Sequence, residues 1–129
     1  MACGGSPTVT DAVHDSSTAR EEWACSNPYE AQCDSDGCAV ASVDAFTPMR
    51  VTISGSGQLT VCAYSGCWEG TSARNTDGDF MIVRGKDMLF STNPDQPSVD
   101  AVLALDRRDR VATIKLGSFA HALLCEPTD

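Results

Sequence analysis

Arg50-Val51-Thr52-Ile53-Ser54-Gly55-Ser56-Gly57-Gln58-Leu59-Thr60-Val61-Cys62-Ala63-Tyr64 reads as two short strands about a glycine-rich turn. Val51 and Ile53 alternate with Arg50, Thr52 and Ser54, and Leu59, Val61 and Ala63 alternate with Gln58, Thr60 and Cys62. Side chains on a strand point to its two faces in turn, so a period of two buries one face and wets the other. Gly55-Ser56-Gly57 supplies the backbone freedom a tight reversal needs. The stretch is therefore a hairpin, and the fold depends on how often it recurs.

It recurs along most of the chain. Runs of the same kind cover 39–43, 67–73, 80–84, 88–91, 99–105, 111–116 and 119–125. Ser65-Gly66, Asp77-Gly78, Gly85-Lys86, the 93–97 stretch, 106–109 and Gly117-Ser118 punctuate them as turns. Hairpins in sequence make an antiparallel meander, here of about eight or nine strands, which protects its edges by closing into a small barrel or by folding into a two-sheet sandwich. The expected fold is all-β, with the barrel preferred. Ser98 and Asp100 ahead of Ala101-Val102-Leu103-Ala104-Leu105 also fit the capped start of a helix, so 99–105 has two readings.

At 129 residues the chain holds one domain. Residues 1–20 are rich in Ser, Thr, Asp and Gly without apolar periodicity, which suits a flexible leader, and 21–129 form a single β domain beginning near Trp23. Seven cysteines bear on its compartment. Cys33 and Cys38 enclose four residues, Cys62 and Cys67 enclose four more, and Cys25 and Cys125 stand near the two ends of the domain. That spacing suggests three bridges, although six cysteines allow many connectivities. Disulfides persist in oxidising compartments, which points to a periplasm or cell envelope, or to secretion. The rival reading gives Cys33, Cys38, Cys62 and Cys67 to one tetrahedral zinc ion, and it leaves Cys3, Cys25 and Cys125 without a role.

Cys3 lies in Ala2-Cys3-Gly4-Gly5-Ser6, ahead of the polar leader. This opening resembles the start of a mature bacterial lipoprotein, whose N-terminal cysteine carries the lipid and whose following residues form a tether. The resemblance implies a lipid anchor at Cys3. Nine basic residues against eighteen acidic ones give a net charge of −9. Such a surface repels nucleic acid and anionic membrane faces and steers cationic partners inward. Membrane association is therefore expected only through Cys3, a protein partner is expected to be cationic, and the chain is expected to be a monomer.

No arrangement in the sequence announces catalysis. Gly-x-Ser-x-Gly, Walker and dinucleotide motifs are missing. Asp34-Ser35-Asp36-Gly37 and Asn75-Thr76-Asp77-Gly78-Asp79 begin like calcium loops, but Ala45 and Lys86 stand where each would need its bidentate glutamate. Of the two histidines, His14 falls in the leader and His121 in the last strand. No catalytic residue, metal or cofactor is expected. Candidate contact residues remain: Arg107 and Arg108 in the one basic cluster, and Tyr64 and Trp68 as amphipathic aromatics of the kind that anchor interfaces.

Ser54-Gly55-Ser56-Gly57, followed by Trp68, Gly70 and the late Cys125, resembles the membrane-bound lysozyme inhibitor family of bacterial periplasmic lipoproteins. Thr60 and Glu69 differ from that family's tyrosine and lysine. The resemblance implies a small β-barrel that inserts loop residues, here around Ser54 and Ser56, into the cleft of a basic c-type lysozyme. The sequence as a whole gives a non-catalytic extracytoplasmic binding or envelope protein with an unidentified partner. Lysozyme inhibition is one alternative, and a barrel holding a small ligand or metal is another.

Overall fold

The computed structural model describes residues 21–93 and 95–128. They form ten strands and no helix: β1 Trp23–Ser26, β2 Ala31–Asp34, β3 Gly37–Val40, β4 Arg50–Ile53, β5 Gln58–Ala63, β6 Gly66–Asp77, β7 Phe80–Phe90, β8 Val99–Asp106, β9 Val111–Leu116 and β10 Phe119–Pro127. The order is β1-β4-β5-β6-β7-β8-β9-β10-β2-β3, and β1 also pairs with β10, so eight strands close into an antiparallel barrel. Closure removes the exposed edges an open meander would carry. Cys25 and Cys125 face each other across the closing β1–β10 seam and are joined by a disulfide.

The alternation seen in the sequence sorts inside from outside. Val51, Ile53, Leu59, Val61, Met81, Val83, Met88, Leu103, Leu105 and Leu123 point inward with essentially no exposed surface. An eight-stranded barrel is just wide enough to be filled by its own side chains, and these fill it. Trp68 packs on Phe90 with ring centroids 4.6 Å apart and on Phe119 at 6.0 Å, so aromatic rings close one end of the interior. The other end is closed by the segment that leads into β1. Glu21 is ion-paired with Arg107 at 2.8 Å, and Arg74 donates to the carbonyls of Glu21 and Ser54.

β1 and β2 both run along β10, and between them the register slips by one residue, from Ser26 opposite Leu124 to Gln32 opposite Phe119. On its other edge β1 pairs with β4, whereas β2 pairs with β3. The chain therefore leaves the barrel wall at residues 27–30 and carries the β2–β3 hairpin off it. Buried Asn27 fixes the bend. Its side chain accepts the Met49 N–H at 2.7 Å and donates to the Thr47 carbonyl at 3.2 Å.

The division of 80–91 into two strands about a turn is corrected by the strand pairing, and two of the sequence's alternatives are decided. Residues 80–84 and 88–90 belong to one strand, β7, and Gly85-Lys86 is no turn: the ladder shifts register between Gly85 and Met88, with Asp87 at φ 54°. Such a bulge keeps the strand running while one extra residue is looped out. Residues 99–105 are a strand, paired with β7 and, from Ala101 onward, with β9 as well, so the ladders on both sides take up their backbone groups. Cys33–Cys38 and Cys62–Cys67 are disulfides at two separate hairpin tips, so the four cysteines of the zinc alternative are already bonded in pairs.

Candidate functional site

An up-and-down barrel has two rims. The β4–β5, β6–β7 and β8–β9 turns lie at one end, and the β5–β6, β7–β8 and β9–β10 connections lie at the other. The sequence's candidates divide between them. Ser54 and Ser56 stand in the β4–β5 turn, where their hydroxyls hydrogen-bond each other at 2.8 Å and Ser54 Oγ also accepts the Gln58 N–H. Arg107 and Arg108 stand in the β8–β9 turn at the same end. Arg107 is committed to Glu21 and to the Gly78 carbonyl, and only Arg108 projects freely into solvent. Serine and arginine therefore serve here as turn and plug residues.

At the opposite rim, Tyr64 sits at the tip of the β5–β6 hairpin, 80% exposed and held by the Cys62–Cys67 disulfide just below it. Trp68 belongs to the aromatic lid of the core. The structure thus separates two residues the sequence grouped: one is displayed and the other is packed. Cys3 lies outside the described residues. No group of three or more potential metal ligands occurs among the described residues.

The largest departure from sequence reasoning is on the outer wall of β7, β8, β9 and β10. Phe80 stands at the β7 edge of this face, with Ala104, Thr113 and Ala122 as a small-residue floor across β8, β9 and β10. Val102, Val111 and Leu124 rise beside that floor, and Pro28 and Tyr29 from the bend after β1 form its far wall. Exposures of 58% for Leu124, 53% for Phe80, 47% for Val102, 41% for Val111 and 39% for Tyr29 leave this band open to water. Two grooves of about 370 and 400 Å³ run along it, sharing Ala104, Thr113 and Ala122. A third, of about 530 Å³, continues from Leu124 past Met49 and Arg50 to Tyr64. On the opposite wall the outward positions of β4, β5 and β6 include Arg50, Thr52, Gln58, Thr60, Glu69, Thr71, Ala73, Asn75 and Asp77, of which Ala73 alone is apolar.

The sequence held a signal for this face. Ala101-Val102-Leu103-Ala104-Leu105 is apolar at both parities, and Ala120, Ala122 and Leu124 do the same for the outward side of β10. A strand that is wet on one face alternates, whereas a strand covered on both faces reads as a continuous apolar run. Comparison with protein-family models, with curated proteins and with solved structures found no match to this chain. The reading of its function therefore rests on this geometry.

Proposed function

We propose that this chain is a non-catalytic binding protein of an extracytoplasmic compartment, and that it docks a cationic protein on the outer face of β7–β10. The observation that carries the reading is the clustering of exposed Phe80, Val102, Val111, Leu124 and Tyr29 on one wall of a barrel whose other wall is polar. Apolar side chains clustered in this way mark an interaction site, because leaving them in water costs free energy in proportion to their area, and Asp106, between Phe80 and Val111, sets a carboxylate among them. The net charge of −9 selects the class of partner, since it attracts basic proteins at long range and repels nucleic acid. Three disulfides support an oxidising address. The Ala2-Cys3-Gly4 sequence supports anchorage there by a lipid on Cys3.

A basic c-type lysozyme is the first partner to test, because the Ser54 to Gly57 resemblance names it. Leu124→Asp and Val111→Asp replace side chains that already face water, so each should cost no more than the roughly 1 kcal/mol by which strand preferences differ. Each should also abolish or strongly weaken a complex measured by titration calorimetry, and the wild-type complex should weaken as salt rises. A complex that survives both substitutions would move docking away from this wall, toward Tyr64 or the Ser54 turn. Marked loss of stability in either variant would make these residues structural and remove the reading. No complex with lysozyme would dismiss lysozyme inhibition alone.

A further inference from the structure

His121 lies on the inner side of β10 where that strand meets the bend between β1 and β2, with 2% of its surface exposed. Its Nδ1 accepts the Ala31 N–H at 3.2 Å. Few other bonds hold the β2–β3 hairpin to the barrel. β2 pairs with β10 at Gln32 and Phe119, and the Cys33 N–H donates to the Ser118 carbonyl at 2.7 Å. An accepting Nδ1 carries no proton, so the imidazole is neutral with its hydrogen on Nε2. That Nε2 is buried and has no partner among the described residues.

The surroundings decide how this group titrates. Burial pushes the His121 pKa below the ordinary histidine value, and the nearby Glu30 carboxylate opposes that shift. Glu30 faces His121 from the β1–β2 bend, β9 presents Ile114 opposite it, and the Phe119 ring stands 5.5 Å away, so Glu30 is the charged neighbour. Hydrogen bonds from Gln32 and from the Thr47 N–H hold the Glu30 carboxyl below its usual pKa. Glu30 therefore stays ionised throughout the range in which histidine titrates.

We propose that His121 is an acid-released latch on the β2–β3 hairpin. A proton on Nδ1 removes the acceptor of the Ala31 N–H and places a second donor against it. The hairpin then swings from β10, while the Cys25–Cys125 disulfide keeps the barrel closed. The open form exposes the imidazole and binds the proton more tightly than the closed form does. Opening is accordingly independent of pH above about 6.5 and grows by up to tenfold per unit as pH falls, levelling off at the pKa of the closed form. The latch stands apart from the docking reading; if docking holds, acid loosens the Pro28–Tyr29 wall of the same groove.

Amide hydrogen exchange followed by NMR on the full chain, corrected for intrinsic rates at each pH, tests it. Protection of the Ala31 and Cys33 amides, which donate to His121 and to the Ser118 carbonyl, should fall by up to about tenfold per unit below pH ~6.5, while the β8–β9 ladder stays unchanged. His121→Gln keeps a carbonyl acceptor for Ala31 and does not titrate, so its hairpin should stay protected at every pH. Constant protection in the wild type would overturn the latch, as would an unchanged pH response in His121→Gln. Should that variant fail to fold, imidazole ¹⁵N shifts of the wild type decide the same question. Nδ1 of the closed protein must take up its proton below the pH at which protection starts to fall, and an imidazole fully protonated while protection is still complete would overturn the proposal.

Discussion

Met88 has no exposed surface, and two residues without side chains make room for it. A Cβ on Gly85 would lie 2.5 Å from Met88 Sδ and 3.0 Å from Leu59 Cδ2, and one on Gly70 would lie 2.9 Å from Met88 Cγ. These glycines flank the register shifts of β6 and β7, where the bulge turns Met88 into the space they vacate. Gly85→Ala should therefore cost about 1–3 kcal/mol of stability through overpacking. Shortening the crowding partner in Gly85→Ala/Met88→Val should make the double variant less destabilised than the sum of the singles, as read from urea midpoints; strict additivity would show that the two do not share this space. At this scale the sequence is only partly legible. The turn at Ser54 to Gly57 and the exposed Tyr64 follow from local chemistry, since glycines and a hairpin tip sit where the pattern breaks. A glycine that yields to a side chain three residues on shows no local pattern, and Gly85-Lys86 consequently reads as a turn.

All three disulfides join residues that stand directly opposite each other on neighbouring antiparallel strands: Cys25 with Cys125, Cys33 with Cys38, and Cys62 with Cys67. Their sequence separations are 100, 5 and 5. In the chain-entropy account a loop of about 100 residues contributes about 4.7 kcal/mol and one of about five residues about 2 kcal/mol. Cys25→Ala/Cys125→Ala should therefore lower the denaturation midpoint clearly more than Cys33→Ala/Cys38→Ala, and equal midpoints would show that closure of the β1–β10 seam adds nothing to stability. The Cys62–Cys67 bridge acts mostly locally, by fixing the tip that displays Tyr64. The pairing was legible because five-residue separations suit two-residue hairpin turns and the remaining two cysteines stand near the ends of the domain. β1 and β2 were less so. Trp23–Ser26 and Ala31–Asp34 are four residues each, too short to alternate visibly, and their pairing with β10 depends on partners 87 to 104 residues away in the chain.

Whole-molecule behaviour follows from a neutral interior inside an acidic shell. Side chains without an ionised group fill the centre of the barrel, and apart from buried Glu30 the charges of the described residues, fifteen acidic against eight basic, lie at or near the surface. The Arg107–Glu21 ion pair offsets part of that charge, and Glu21 also attracts the Arg74 guanidinium. Like charges on a compact shell repel more strongly than on the expanded chain, so net charge this far from zero works against folding. Salt shortens the reach of that repulsion to about 10 Å at 0.1 M and about 3 Å at 1 M. It screens the one partly exposed ion pair as well, but such pairs contribute only about 0–1 kcal/mol. Repulsion among many charges should outweigh these few attractions around Glu21. The melting temperature by calorimetry at neutral pH should accordingly rise from low to moderate sodium chloride, and part of the rise should already be present in Asp77→Asn/Asp79→Asn at low salt, where two exposed carboxylates at one turn are gone. A melting temperature that falls as salt is added would mean that attractive pairs dominate this surface. The same experiment bears on docking, since the field that strains the fold at low salt is the field that would draw a basic partner toward the apolar wall.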